Sequence, residues 1–330
     1  MERTDQGPVQ GTDQKRILFG IALTALICAL SISIPVFGFV FFMVVPLPAF
    51  YYRVRLGTKL SAFAASSAFI FLIFFSGGLS ADLFFIAAML LLGFFMGEFF
   101  EKNLAVEKTI GYAAGLVLAT GAFGLALYAN ASNLGLFQLI SGYVAKHLEL
   151  TLAVYENMGM PEESITTLTR SMEQIRYVLV RILPAISAAG LLFAAWMNLL
   201  LAKALLKTRI QRSATLEGLK RWKTPDALVW GVVASALMLL VPGGFFKVLG
   251  LNGMIVFTII YFFQGIAILS FYFEKKKIPL AVRVLLYGMV VIQQIFIFVI
   301  AGIGFFDVWL NFRKIENNDT DKQMPCLRNF

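Results

Sequence analysis

The sequence predicts an all-α protein: a polytopic transmembrane helical bundle of about nine spans, with eight as the alternative count, and an external amphipathic helical pair. Three observations lead to this class. Apolar residues make up 59% of the 330 residues and the mean hydropathy is +0.80, whereas soluble domains are about 45–50% apolar. The apolar residues form runs long enough to cross a hydrocarbon core of about 30 Å. The Lys and Arg residues collect in short segments between those runs, which is typical of cytoplasmic loops.

One of these segments, the basic loop at residues 203–225, sets the predicted orientation of the bundle. It holds seven Lys or Arg residues and a single acid, Glu217, so it is predicted to be cytoplasmic. Counting spans back along the chain then places the N-terminus in the cytoplasm. The net charge of +9 is explained by this topology and by attraction to anionic lipid headgroups. Binding of nucleic acid is the disfavoured alternative, and no nucleic-acid partner is predicted.

The N-terminal third of the chain is predicted to contain a disordered cytoplasmic tail and five spans. The first two come from 36 residues without a charge, about 54 Å of helix, with Pro35 at the centre. We predict a helical hairpin there; one long tilted or broken helix is the alternative. Arg53, Arg55 and Lys59 then form a cytoplasmic turn around Gly57. The tail and the five spans are predicted at residues 1–16, 17–34, 36–52, 60–76, 79–99 and 109–129.

Residues 130–175 differ from the rest because they hold five acids but only two Lys or Arg residues. This reversed charge balance predicts that the segment lies outside. Apolar residues recur there at helical spacing, and Gly159 and Pro161 favour the end of one helix and the start of the next. The prediction is an external helical pair at 135–175 that lies on the membrane or caps the bundle. Its second helix continues into a sixth span at 177–201.

The last three spans are predicted on either side of a second basic cluster, Lys275–Lys277. Nine spans place every strong basic cluster in the cytoplasm, but they put Arg313 and Lys314 outside. Either the flexible polar tail tolerates that mismatch, or the count is one too high near the C-terminus. The spans and the tail are predicted at residues 227–241, 251–273, 282–302 and 313–330, with a single transmembrane domain at 17–312.

Six polar residues lie within or near the apolar runs, where polar groups are costly and often functional. The amides of the eighth and ninth spans either line one polar pocket or act as structural links between helices. Arg181 either reaches the outer headgroups or binds an anion in a cavity. Asn198 either links helices or joins the pocket, and Asp307 either joins the pocket or is an interfacial acid paired with Arg313 or Lys314. The candidate pocket comprises Arg181, Asn198, Gln264, Gln293, Gln294 and Asp307.

Catalytic and metal-binding patterns are absent from the sequence. His147 is the only histidine, which excludes metal sites built on two or three histidines. There is no phosphate-binding loop and no His-Glu-x-x-His pattern, and no pair of acids lies at helical spacing within a span. Cys28 and Cys326 form no spaced pair. We therefore predict a protein that is not an enzyme and that has no cofactor or metal.

The last third of the chain carries several short motifs that form a recognisable pattern. They are Tyr261-Phe262-Phe263-Gln264-Gly265, Lys275-Lys276-Lys277, and Gly304-Phe305-Phe306-Asp307-Val308-Trp309-Leu310-Asn311-Phe312-Arg313-Lys314. Together with Arg181-Ile182-Leu183-Pro184 and Asn198, these motifs resemble the YybS-like family of uncharacterised bacterial membrane proteins. The resemblance covers nearly the whole span layout. It implies a multi-pass protein of the bacterial cytoplasmic (inner) membrane, and it implies no particular activity.

A more distant resemblance covers residues 17–130. Pro46-Leu47-Pro48, then Arg53 to Gly57, then helices rich in small residues look like the N-terminal half of the substrate-binding components of energy-coupling-factor vitamin transporters. The same segment also resembles the rod-shape membrane protein family. The first of these resemblances implies a small-molecule solute as a partner.

These observations favour a non-enzymatic, transporter-like membrane protein that binds a small solute. The alternative is a membrane scaffold that recruits cytoplasmic or other membrane proteins through its basic loops. An intramembrane enzyme is a distant third. The lipid bilayer is the partner that all three share.

Overall fold

Helices make up the architecture in the part of the chain that the computed structural model describes, which is residues 11–34, 38–78, 81–205 and 222–313. The chain forms two compact units, Met1–Leu216 and Glu217–Phe330. The described helices of the first unit are α1 Gly11–Ser33, α2 Gly38–Val44, α3 Pro46–Phe75, α4 Ala81–Glu101, α5 Val106–Ala131, α6 Leu136–Asn157 and α7 Glu162–Leu205. Those of the second unit are α8 Leu228–Leu240, α9 Gly244–Lys275, α10 Leu280–Ile292 and α11 Ile295–Leu310.

Five helical segments among the described residues are long and apolar enough to cross a membrane. The bent pair α10–α11 gives a sixth if it counts as one crossing. Two further apolar helices, Ile17–Ser33 and α8, are shorter. The five segments are Gly38–Phe75, Leu83–Glu101, Val106–Ala131, Glu162–Lys203 and Gly244–Lys275. These findings support a polytopic helical protein, whereas the predicted nine spans are not confirmed.

The first apolar stretch folds back on itself as a hairpin. Gly38, at the start of α2, packs against the backbone of Ser31 near the end of α1. The Tyr52 ring of α3 packs against Gly20, near the start of α1. Contacts that pair the end of α1 with α2, and its beginning with α3, require the helices to run antiparallel. The predicted break at Pro35 lies outside the described residues.

Helix α3 is kinked at Gly57, within the segment predicted to be a cytoplasmic turn. Only Gly57 leaves helical geometry, with φ 81° and ψ 178°, and glycine adopts a positive φ at little cost because it has no Cβ. Arg53, Arg55 and Lys59 therefore lie on helical backbone on either side of one irregular residue. The predicted break between two helices is therefore present as a kink at one residue, and its cytoplasmic location stays a prediction.

Two glycines of α4 allow α3 to pack closely against it. A Cβ at Gly93 would collide with the carbonyl of Pro46, and one at Gly97 would collide with the side chain of Arg53. The apolar core surrounds this contact. Its fully buried large side chains include Phe50, Leu72, Leu83, Ile86, Leu92 and Met96.

The predicted external pair corresponds to α6 and the first part of α7. Gly159, with φ +71°, lies in the turn between them. Helix α7 has 44 residues, which is about 66 Å, and it contains Pro184 within its length. The location of the pair outside the membrane stays a prediction. So does the scaffold role of the basic loop, because residues 206–221 lie outside the described part of the chain.

In the second unit, α9 packs against α8 and α11 through small residues on one face. Gly250 lies against the carbonyl of Ser235 in α8. Gly304 of α11 lies against the carbonyl of Tyr261, and a Cβ at Gly265 would meet the backbone of α11. Small residues at helix crossings let backbones approach closely, which is how membrane helices gain packing energy.

The predicted ninth span is not a continuous helix. Helix α10 ends at Ile292 and α11 begins at Ile295, and the two are bent by 106°. Gln293 has extended backbone geometry at the break, with φ −106° and ψ 101°. Neither glycine nor proline lies at the break, and the sequence marks it only by the polar pair Gln293-Gln294.

Candidate functional site

A groove of about 660 Å³ lies in the first unit, between α1 and α3. The wall from α1 is apolar, and the wall from α3 combines aromatic rings with one charged side chain. The groove begins at the Pro46-Leu47-Pro48 segment and ends before Gly57. Its principal lining residues are Phe19, Leu23, Leu47, Tyr51, Tyr52 and Arg55.

Arg55 gives the groove its electrostatic character, because it is the charged residue among those that line it. Its guanidinium carbon lies 5.4 Å from the centre of the Tyr51 ring, within the range of a cation–π contact. The Tyr51 and Tyr52 rings meet edge to face, with centroids 5.3 Å apart. Gly20 supports this arrangement because the Tyr52 ring packs directly against its Cα. The groove therefore presents an edge-to-face tyrosine pair beside an exposed cation.

Arg53, two residues earlier, has a different role. Its side chain is 4% exposed, and it donates hydrogen bonds to Glu98 and, over 2.8 Å, to Glu101. Lys102 lies 3.4 Å from the other Glu98 oxygen. Gly97 leaves the space that the arginine stem occupies. This cluster joins α3 to α4, and the buried guanidinium of Arg53 is already engaged by two carboxylates.

Asn198 acts as a link between helices. It is fully buried, and its Nδ2 donates to the carbonyl of Met43 over 2.7 Å and to that of Ala194 over 2.6 Å. The Met43 carbonyl lies beside the junction of α2 and α3, where Pro46 lacks an N–H and the helical hydrogen-bond ladder is interrupted. Of the two roles that the sequence left open for Asn198, the structure shows the hydrogen-bonded link.

The second unit contains a buried polar cluster centred on Asp307. Its Oδ2 accepts hydrogen bonds from Nε2 of Gln264 over 3.1 Å and from Arg313 over 3.0 Å. Its Oδ1 accepts one from the backbone N–H of Phe312 over 2.8 Å. The Arg313 and Asp307 side chains are 1% and 2% exposed. The structure thus brings together two residues of the candidate pocket and pairs Asp307 with Arg313.

This cluster also holds the chain that follows the basic loop. Arg313 donates to the carbonyl of Trp222 over 3.0 Å, and the Thr224 N–H donates to Oε1 of Gln264 over 3.3 Å. The oxygen and the nitrogen of the Gln264 amide therefore both form hydrogen bonds within the protein. The Gln264 amide thus links the Thr224 backbone to Asp307.

The remaining residues of the candidate pocket lie elsewhere. Gln293 and Gln294 are exposed at the break between α10 and α11, and neither is hydrogen-bonded to Gln264 in the described structure. The prediction that three amides line one pocket is therefore not supported. Arg181 is half-buried in the first unit; it donates to the Tyr177 carbonyl over 3.0 Å and stacks on the ring of the same residue.

Comparison with known proteins identifies the family. A family model described as "Predicted membrane protein (DUF2232)" matches residues 22–308. The chain belongs to this family. It is also similar to the "Uncharacterized protein YybS" of Bacillus subtilis (strain 168), with 24% identity over 298 residues that cover 89% of this chain and 94% of that protein. No solved structure matches the chain.

Membership in DUF2232 confirms the predicted resemblance to YybS-like proteins and the prediction of a multi-pass membrane protein. It assigns no activity. The groove residues Tyr51 and Arg55 were absent from the candidate pocket, because a search for polar residues deep in apolar runs passes over a charge at the end of a run. The signal that pointed to them was the distant resemblance carried by Pro46-Leu47-Pro48.

Proposed function

We propose that this DUF2232 chain is a non-enzymatic, transporter-like protein of the bacterial inner membrane that binds a small solute in the groove between α1 and α3. The observation that carries the proposal is the groove itself. Its volume of about 660 Å³ lies within the ~300–1,000 Å³ usual for small-molecule sites. Apart from Leu205 of α7, its lining residues belong to the segment at 17–130 whose motifs resemble substrate-binding transporter components.

The lining of the groove indicates the chemistry of the solute. Arg55 is exposed, and its guanidinium lies over the face of the Tyr51 ring, so its N–H donors are accessible to a ligand. The neighbouring Arg53, by contrast, is buried between two glutamates. A solute with an apolar or aromatic body and one carboxylate or phosphate group would match this lining, because guanidinium pairs well with both anions.

The experiment is a thermal-stability screen of the purified protein against vitamins and other small metabolites that carry a carboxylate or phosphate. A solute at one hundred times its Kd stabilises the folded state by about 2.7 kcal/mol. A hydrogen bond to a charged group contributes about 1.5–3 kcal/mol. Arg55→Ala should therefore weaken binding of the hit by roughly 10- to 150-fold.

Lys59→Ala is the matched control, because it removes a positive charge from the same helix at a residue outside the groove lining. It should bind the solute as wild type does, and so should Gln293→Leu. A solute that stabilises the Arg55→Ala variant as well as wild type would show that it binds elsewhere. A screen in which no anionic solute stabilises the wild-type protein would count against the proposed function.

A further inference from the structure

The bent pair α10–α11 raises a question of topology that is separate from the groove. Helix α10 has 13 residues and α11 has 16, about 20 Å and 24 Å. Each is shorter than a hydrocarbon core of about 30 Å. Because the two helices are bent by 106°, their lengths do not add along one direction. The contacts at the two ends of the pair decide whether it crosses the membrane.

The beginning of the pair is fixed to the end of α9. Arg283, in the first turn of α10, donates to the carbonyl of Ile278 over 2.8 Å and to that of Phe273 over 3.1 Å. These carbonyls belong to the last turn of α9 and to the link that follows it. Helix α10 therefore starts at the level of Phe273.

The end of the pair returns to the same place. The hydroxyl of Tyr272, the neighbour of Phe273 on α9, donates to the carbonyl of Phe312 over 2.7 Å. Phe312 follows α11 by two residues. The two ends of α10–α11 are thus tethered to adjacent residues of one helix, which a segment that crosses from one face to the other does not do.

A second set of contacts relates this end to the basic loop. Arg313 donates to the carbonyl of Trp222 over 3.0 Å, and Trp222 is itself part of the loop at 203–225. The buried Asp307–Arg313 ion pair, with 3.0 Å between its atoms, holds the arginine in this position. The chain therefore leaves α11 beside the loop whose seven Lys and Arg residues place it in the cytoplasm.

We propose that α10 and α11 form a re-entrant hairpin that enters and leaves the membrane on the side of the basic loop, so that the chain beyond Arg313 emerges on that side. The hairpin replaces the predicted ninth crossing. It removes the mismatch of Arg313 and Lys314, which then obey the same charge rule as every other basic cluster. It also places the non-helical break at Gln293 away from that face. Irregular backbone at such depth is tolerated where water or protein surrounds it.

The native Cys326 tests this proposal without a substitution. Cells and inside-out vesicles are treated with a membrane-impermeant maleimide, and labelling is read as a mass shift of the purified protein. Cys326 should react only in inside-out vesicles. Cys28 is fully buried, so the Cys326→Ala variant should remain unlabelled and serves as the background for the reporters.

Reporters in that background fix the two faces of the membrane. Ser213→Cys in the basic loop and Lys276→Cys between α9 and α10 should react on the same face as Cys326. Pro242→Cys between α8 and α9, and Ser164→Cys at the start of α7, should react on the opposite face. Labelling of Cys326 together with Pro242→Cys would overturn the proposal, because α10–α11 would then cross the membrane.

Discussion

Removing the carboxylate of Asp307 tests whether its buried cluster stabilises the second unit. The Asp307→Ala substitution removes the acceptor for Gln264, for the backbone N–H of Phe312 and for Arg313. The largest effect comes from Arg313, whose guanidinium remains buried without its carboxylate. Breaking a buried ion pair by deleting one partner costs about 3–5 kcal/mol. We expect the free energy of unfolding to fall by that amount.

The assay is reversible unfolding in mixed micelles, followed through the mole fraction of a denaturing detergent. A double-mutant cycle with Asp307→Ala and Arg313→Ala isolates the coupling between the two side chains. The double variant buries no unpaired charge at this site, so it should lose less than the sum of the single variants. We expect a coupling energy of about 2–3 kcal/mol, near the upper end for contacting residues.

The matched control is the Glu173–Arg176 pair on α7. Its atoms are 2.7 Å apart, but the Arg176 and Glu173 side chains are 38% and 78% exposed. Exposed pairs contribute about 0–1 kcal/mol. A coupling at Asp307–Arg313 no larger than that of the control pair would refute the view that burial makes this ion pair strong.

Three further predictions concern packing and hydrogen bonding. Gly304→Ala should lower the free energy of unfolding by about 1–3 kcal/mol, because the new methyl group collides with a backbone carbonyl of α9. Its control is Gly302→Ala, which has open space on the same helix. In the same unfolding assay this control should be neutral or slightly stabilising. Asn198→Leu should cost about 1–3 kcal/mol, because it leaves two buried carbonyls without their amide donor, and the loss is read from the unfolding midpoint. Gly97→Ala should lower the free energy of unfolding by about 1–3 kcal/mol, because its methyl group displaces the buried Arg53 of α3. Gly111→Ala, whose methyl group meets nothing within 4 Å, should cause no such loss. Equal unfolding midpoints for the two variants would contradict this account.

Much of the helical layout follows from the sequence because long apolar runs have few alternatives in a bilayer. The hairpin of α1 with α2 and α3, the turn at Gly159 and the long helix that follows it are all visible in the pattern. Charge also allowed Asp307 to be associated with Arg313 or Lys314, although as an interfacial acid, whereas the Asp307–Arg313 pair is buried. These features depend on composition and short-range spacing, which can be read directly from the sequence.

The features that the sequence did not reveal depend on long-range packing. Arg53 was assigned to a turn, yet it is buried because α4 supplies Gly97 as space and Glu98 and Glu101 as acceptors, about 45 residues away in the chain. The bend between α10 and α11 contains no glycine or proline, and the glutamines that mark it were interpreted as lining a pocket. Gln264 was predicted to line a pocket, but its amide is hydrogen-bonded to Thr224 and Asp307. Both partners are distant in the chain and are brought to Gln264 by the fold.

The length of α7 has a practical consequence for imaging. At about 66 Å it is roughly twice the thickness of a hydrocarbon core, so a detergent belt leaves about half of the rod uncovered. Particles of 36.6 kDa surrounded by a belt have few features for alignment in electron cryomicroscopy. An antibody fragment raised against α6 and the first turns of α7 would supply a rigid fiducial on the helical pair that is predicted to lie outside the membrane.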